Sequence, residues 1–214
     1  MKIESYEVYG FEHAIRGMRN PLASHNKSDS GYIVGWNNHA SFKIGENDLK
    51  LAQRLILAGQ EHCKFLRQIS VWVDLTLPLY VWKEFDQYKI GVTTDSYSTM
   101  HKITSRELTE EDFEWDMLTQ YRTNTLGHLN SLICSYKNEL CQNTLDKEYL
   151  FRQIIQDLPS SYLQKRTVSL NYAVLRNLYF QRRNHKLKEW HEICDWIFSS
   201  LPYAKELICI EKVN

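Results

Sequence analysis

The chain has 214 residues, 26 of them basic and 26 acidic, for a formal net charge of zero. That length fits one domain, spanning 1–214, with a core of ordinary size. Balanced charge excludes a bulk field drawing the whole surface to nucleic acid or an anionic membrane, so any anion site is a local cluster. No apolar run approaches the ~20 residues of a membrane span. The first residues, MKIESYEVYGFEHAIRG, carry acids among the apolar positions and read as neither signal nor transit peptide. The five cysteines, Cys63, Cys134, Cys141, Cys194 and Cys209, form no CxxC pair and read as free thiols of a reducing cytoplasm. Cys134 and Cys141 sit two helical turns apart, outside the usual zinc spacings, so no metal site is expected.

In chain order, Ile3, Tyr6, Val8 and Tyr9 predict a short strand. The polar run Ser24–Gly31 predicts a loop. It reads either as a solvated turn or as a lip over a site, with Arg16 and Arg19 available for a phosphate. Asn47 and Asp48 predict a helix start, Leu51, Ala52, Leu55 and Ile56 its apolar stripe, and Gly59 its end. Glu61 and His62 follow at once, a polar pair placed to face a cavity or to serve as structural hydrogen-bonders.

Ile69–Leu77 alternates, with Val71, Val73, Leu75 and Leu77 on one face and Ser70, Trp72, Asp74 and Thr76 on the other. The second face suits a cleft or another subunit. Pro78 ends the ladder, and Leu79, Tyr80, Trp82 and Phe85 form an aromatic turn. Gln87–His101 lacks periodicity and is rich in hydroxyls, which serve either a site or the turn's own backbone.

Thr109 with Glu110, Glu111 and Asp112 predicts the start of a long helix running toward Leu140, broken near Gly127. A second helix is expected over roughly Asp146–Leu158, a third from about Leu170. A last one carries Leu187, Trp190, Cys194, Ile197 and Leu201. Between the last two, Arg176–Lys186 packs five potential cations into eleven residues, serving either the helix dipole or a phosphate fork.

Two blocks together resemble the flavin-dependent thymidylate synthases, the ThyX family. Its pattern is a Glu-His pair, a strand, a proline, an aromatic helix and then RHRxxSxNExSxRY. Here Glu61-His62, the strand, Pro78, Tyr80–Phe85 and Tyr88–His101 follow in that order. The second block matches Asn171–Arg183 followed by Lys188-Glu189-Trp190-His191-Glu192-Ile193, after Leu158-Pro159. The resemblance spans about residues 50 to 200 and rests on order and spacing more than on identity.

Matching the motif's second serine to Ser98 puts Tyr88, Lys89 and Ile90 in place of Arg, His, Arg. Counting from Pro78 gives Gln87, Tyr88 and Lys89 instead. Asp95 stands for Asn, Ser96 for Glu, Met100 for Arg and His101 for Tyr, and Ala173 or Val174 replaces an earlier arginine. Losing the arginine at Met100 removes a charged contact of roughly 1.5–3 kcal/mol.

The resemblance implies an α+β fold with a central antiparallel sheet flanked by helices, and a homotetramer with sites shared between chains. It implies reductive methylation of dUMP to dTMP with FAD, NADPH and methylenetetrahydrofolate, a methyltransfer in which the cofactor carries the hard chemistry. By that match Ser98 is the catalytic position and His62, Tyr88, Lys89 and Asn177 bind cofactor. Ser96, His101, Arg182 and Arg183 bind the pyrimidine nucleotide, and His185 is a further candidate cation. The serine-rich bend and the arginine pair are expected to meet on that nucleotide. Two other outcomes stay open: a non-catalytic nucleotide-binding relative, and a scaffold that kept only the fold and binds a protein partner.

Overall fold

A computed structural model describes residues 1–35, 40–138 and 144–211, with the side chains of 144 and 145 outside the description. Cys141 and Leu140 lie outside the described residues. The strands are β1 (Lys2–Tyr9), β2 (Gly31–Val34), β3 (Ala40–Lys43), β4 (Ser70–Pro78), β5 (Thr93–Ser96) and β6 (Leu163–Asn171). The helices are α1 (Phe11–Met18), α2 (Glu46–Ala58), α3 (Leu79–Phe85), α4 (Thr99–Lys102), α5 (Gln120–Lys137), α6 (Thr144–Asp157), α7 (Tyr172–Arg182), α8 (Lys188–Ser200) and α9 (Ala204–Leu207). The architecture is an antiparallel sheet flanked by helices, with strand order β1-β4-β6-β5; β2 and β3 form a separate hairpin pairing Tyr32 with Phe42.

The chain divides into two compact units. One holds residues 1–3, 74–87 and 95–167, the other 4–73, 88–94 and 168–214. In the first unit α5 and α6 pack on each other around Ile103, Leu108, Phe113, Leu129, Ile133 and Ile154. Phe113 stacks on Trp115 at 4.4 Å and forms an antiparallel bridge with Tyr162. Trp82 on α3 is buried, donates its Nε1–H to the Gln164 carbonyl at 2.9 Å and lies 4.2 Å from the Arg166 guanidinium. On β4 and β6, Asp74 accepts from Thr167 at 2.7 Å and pairs with Lys165 at 3.1 Å. The hydrogen bond from Thr167, then that from Lys165, holds the Asp74 carboxyl below the usual carboxylate range.

The second unit is organised around α1, α2, α7 and α8, with Ile15, Ala52, Leu66, Tyr172, Trp190 and Ile197 buried among them. Gly10 enters α1 at φ 98, where a Cβ would lie 2.1 Å from the Gln68 carbonyl oxygen, so only glycine fits. Tyr172 donates to the Pro202 carbonyl at 2.6 Å, and burial pushes its hydroxyl far above the usual phenol range.

The alternating β4 is buried on the Val71, Val73, Leu75 and Leu77 face as its period predicts, while Trp72 is 42% exposed. Several expectations are corrected. The Thr109 capping box closes only a single 3-10 turn at Glu110–Asp112, because Phe113 is drawn into its bridge with Tyr162; the long helix starts at Gln120, capped by Thr119. It passes through Gly127 unbroken, and beyond the helix's own nearby backbone nothing lies within 4 Å of where that residue's Cβ would sit. The pattern near Leu170 is strand first and helix only from Tyr172, after the Asn171 cap. Asn47 does not cap α2, which starts one residue earlier at Glu46 after Gly45, while Asp48 is an acid of its first turn as expected. The N-terminal amides of α2 at Asn47 and Asp48 donate to Asp29, 2.8 and 3.1 Å away, brought in by the preceding loop.

Candidate functional site

The second unit carries a polar and aromatic cluster along α7. Asn171 caps that helix by accepting from the Val174 amide at 3.1 Å. Beside it runs the turn Tyr88–Gly91. Gly91 has φ 76, and a Cβ there would lie 2.9 Å from Asn171 Nδ2. The other end of the turn is anchored by Tyr88, whose hydroxyl accepts from Arg182 Nε at 3.0 Å and donates to Gln181 Oε1 at 2.9 Å. Gln181 Nε2 donates in turn to Asn177 Oδ1 at 3.0 Å.

Arg182 lies over the Trp190 ring at 4.6 Å and the Tyr88 ring at 5.8 Å, and His185 meets the Trp190 ring edge at 6.2 Å. Trp190 is buried and backs the guanidinium, while the exposed amides of Asn177 and Gln181 can meet the edge of a planar, hydrogen-bonding ring. Three residues singled out in the sequence, Tyr88, Asn177 and Arg182, thus come together. Gln181, Trp190 and His185 join them. Trp190 and His185 stood in the sequence blocks already quoted, and only Gln181 gave no chemical signal. Lys89 and Ile90 project from the turn, Ile90 at 92% exposure.

Arg183, one residue on, faces a different partner. Its two terminal nitrogens donate to Glu211 Oε1 and Oε2 at 3.1 and 3.0 Å, and its guanidinium lies 4.8 Å from the Phe180 ring. The hydrogen bond from Arg183 holds the Glu211 carboxyl below its usual range. Arg176 lies 4.7 Å from the same ring and donates to the carbonyls of Ile208 and Ile210 at 2.5 and 2.6 Å. The two consecutive arginines therefore do not form one fork: α7 turns about 100° between them.

The same unit holds an open cleft of about 1580 Å3. Met18 and Phe65 give it an apolar floor, while Lys27, Lys50, Arg54 and Lys64 line it with positive charge. His62 lies on it, 3.5 Å from Glu61, and Ile210 forms part of its wall. Lys50 is tied to Glu46 at 2.6 Å.

Arg19 also lines the cleft but is not available for a phosphate, contrary to the sequence expectation. It is 4% exposed, donates to Asp48 at 2.5 Å, and reaches the carbonyls of Ser24 and Lys27 at 3.2 and 3.1 Å. Ser28 and Ser30 each donate to Asp48 at 2.6 Å. Burial alone would push the Asp48 carboxyl up, but these bonds and the Arg19 charge hold it below the usual range. The 24–30 loop is thus clipped to α2. Arg16 meets His13 at 3.2 Å on the surface.

In the first unit, Ser96 ends β5 and Ser98 precedes α4. Between them the Tyr97 amide donates to the Lys165 carbonyl at 2.9 Å, and the Tyr97 carbonyl accepts from Gln164 at 3.0 Å. Met100 and His101 are exposed. Ser96, Ser98 and His101 belong to this unit and His62, Tyr88, Asn177, Arg182 and Arg183 to the other. Among the described residues no group of three or more His, Cys, Asp or Glu is arranged to hold a metal ion.

Two solved structures of flavin-dependent thymidylate synthase ThyX from Helicobacter pylori, each with FAD and dUMP, superpose on this chain with a TM-score of 0.71. They cover 97% of it and 98% and 97% of their own chains, at 17% sequence identity. The chain has the ThyX fold. No protein-family model matches the sequence, and no curated protein matches it. In this chain the blocks singled out in the sequence follow in the order Glu61-His62, β4, Pro78, α3, the 88–101 segment, then α7 and α8. Among the described residues no helix is long and apolar enough to cross a membrane.

Proposed function

We propose that the chain is a divergent member of the flavin-dependent thymidylate synthase family that binds FAD and a pyrimidine nucleotide of the dUMP kind. The reaction would be reductive methylation of dUMP to dTMP, with NADPH as reductant and methylenetetrahydrofolate as carbon donor. The observation that carries this reading is the end-to-end likeness to two proteins complexed with FAD and dUMP.

The residues present suit such ligands. Tyr88, Asn177 and Gln181 offer a ring and edge partners to an isoalloxazine or pyrimidine, with the buried Trp190 backing Arg182 behind them. Lys27, Arg54 and Lys64 supply positive charge for a diphosphate along a cleft that includes His62. A bound flavin would supply the hydride chemistry; the chain's own part is to bind, orient and exclude water. Tyr88 holds Arg182 in place, and Ser96, Ser98 and His101 would meet the nucleotide, with Ser98 at the catalytic position. The whole chain would act as one functional domain in a homotetramer, with the exposed Trp72 face of β4 as a contact, in a reducing cytoplasm.

A second reading is favoured by one observation. Ile90 is 92% and Met100 57% exposed where the family motif has arginines, and Arg183 is matched by Glu211. Exposed apolar side chains there suit a nucleotide-binding relative without turnover. The test is an absorption spectrum of the pure protein from the near-ultraviolet to the blue, followed by dUMP calorimetry and a dTMP assay. A flavin spectrum, dUMP binding and dTMP formation are expected. Nucleotide binding without turnover selects the second reading. Colourless protein that takes up neither added FAD nor dUMP refutes both.

A further inference from the structure

The C-terminal segment lies where it can compete with a ligand. Arg176 grips the carbonyls of Ile208 and Ile210 and so sets the register of the segment. That register presents Glu211 to Arg183, whose fork the carboxylate fills with two parallel hydrogen bonds. A planar guanidinium fork matches a phosphate in the same way as a carboxylate. Glu211 and Arg183 keep side-chain exposures of 56% and 33%. An ion pair that wet is held loosely and exchanges readily. Ile210, one residue before Glu211, forms part of the cleft wall, so movement of the segment also reshapes the cleft.

We propose that residues 208–211 are a displaceable strap, and that the Glu211 carboxylate occupies the place on Arg183 that a phosphate group of the ligand takes when it binds. This rests on the nucleotide-binding reading given above. The strap makes the apparent affinity for a phosphate-bearing ligand weaker than the intrinsic one, in proportion to the time the strap spends closed. A strap closed nine-tenths of the time weakens binding about tenfold. Ligands without phosphate are indifferent to it.

The experiment compares the full chain with its Glu211→Gln and Arg183→Gln variants by calorimetry, using dUMP, deoxyuridine and inorganic pyrophosphate as probes. Amide exchange at Cys209, whose N–H donates to the Ala204 carbonyl at 2.8 Å, reports the strap directly. Glu211→Gln is expected to tighten dUMP and pyrophosphate binding on the order of tenfold and to leave deoxyuridine unchanged. Arg183→Gln loses that gain, and saturating pyrophosphate speeds exchange at Cys209 in the parent chain. Pyrophosphate behaving this way while dUMP binds to none of the three supports the strap and removes the nucleotide reading. Unchanged anion binding in Glu211→Gln, unchanged exchange at Cys209, deoxyuridine tightening alongside dUMP, or no anion binding at all overturns the strap.

Discussion

Replacing Asp48 with alanine should unfold the chain at markedly lower denaturant. The Asp48 side chain is fully buried and the Arg19 side chain 5% exposed. Four donors converge on the carboxylate: Arg19 at 2.5 Å, Ser28 and Ser30 at 2.6 Å, and the Asp29 amide at 3.3 Å. With the carboxylate gone, the guanidinium keeps its carbonyl partners but remains a buried charge without a counter-ion. Removing one partner of such a pair costs about 3–5 kcal/mol, a large share of the ~5–15 kcal/mol that holds an ordinary domain together.

Urea unfolding, read as midpoint and slope, measures the loss. The Arg19→Met/Asp48→Leu double variant should recover much of it, because no charge is then stranded. Since the Asp48 pKa is depressed in the folded chain, its contribution is present above the unfolded value and fades as pH falls through the folded one. The parent chain should therefore lose stability below about pH 4 more steeply than Asp48→Asn. A loss under ~1 kcal/mol in Asp48→Ala, or strict additivity in the double variant, would refute the clip.

Two further outcomes follow from packing. Ile154→Ala, at a site with no exposed surface between α5 and α6, should cost about 2–5 kcal/mol by urea titration; a smaller loss means the helix pair closes over the gap. Tyr88→Phe removes the hydroxyl linking Arg182 to Gln181, so stability should fall by only about 0.5–1.5 kcal/mol. In the same variant dUMP binding should weaken several-fold by calorimetry, and unchanged binding would remove Arg182 positioning from the account.

What was legible followed from period. β4 alternates, α6 and α8 repeat their apolar residues at helical spacing, and each buries the face so marked. Where the deciding partner lay far along the chain, the sequence misled. The Thr109 box is a sound helix signal that Phe113 overrides through Tyr162. α1 opens at a left-handed glycine with no side-chain cap to announce it. β6 reads as polar because, of its nine residues, only Val168 and Leu170 are buried.

The candidate site shows the same split. Tyr88, Asn177 and Arg182, named from the order of the sequence blocks, lie on one hydrogen-bonded chain through Gln181. Arg19 and Arg183 look alike as free cations in sequence, and only the fold reveals that Asp48 neutralises one and Glu211 the other.

The cap of α2 bears on how the protein reaches its native state. Its first amides are satisfied by Asp29, seventeen residues before the helix begins, so a peptide of residues 46–58 lacks that support. Thirteen residues are marginal as an isolated helix in water. A cap supplied from so far along the chain couples the stability of this helix to closure of the intervening loop, tying a local event to a longer-range one.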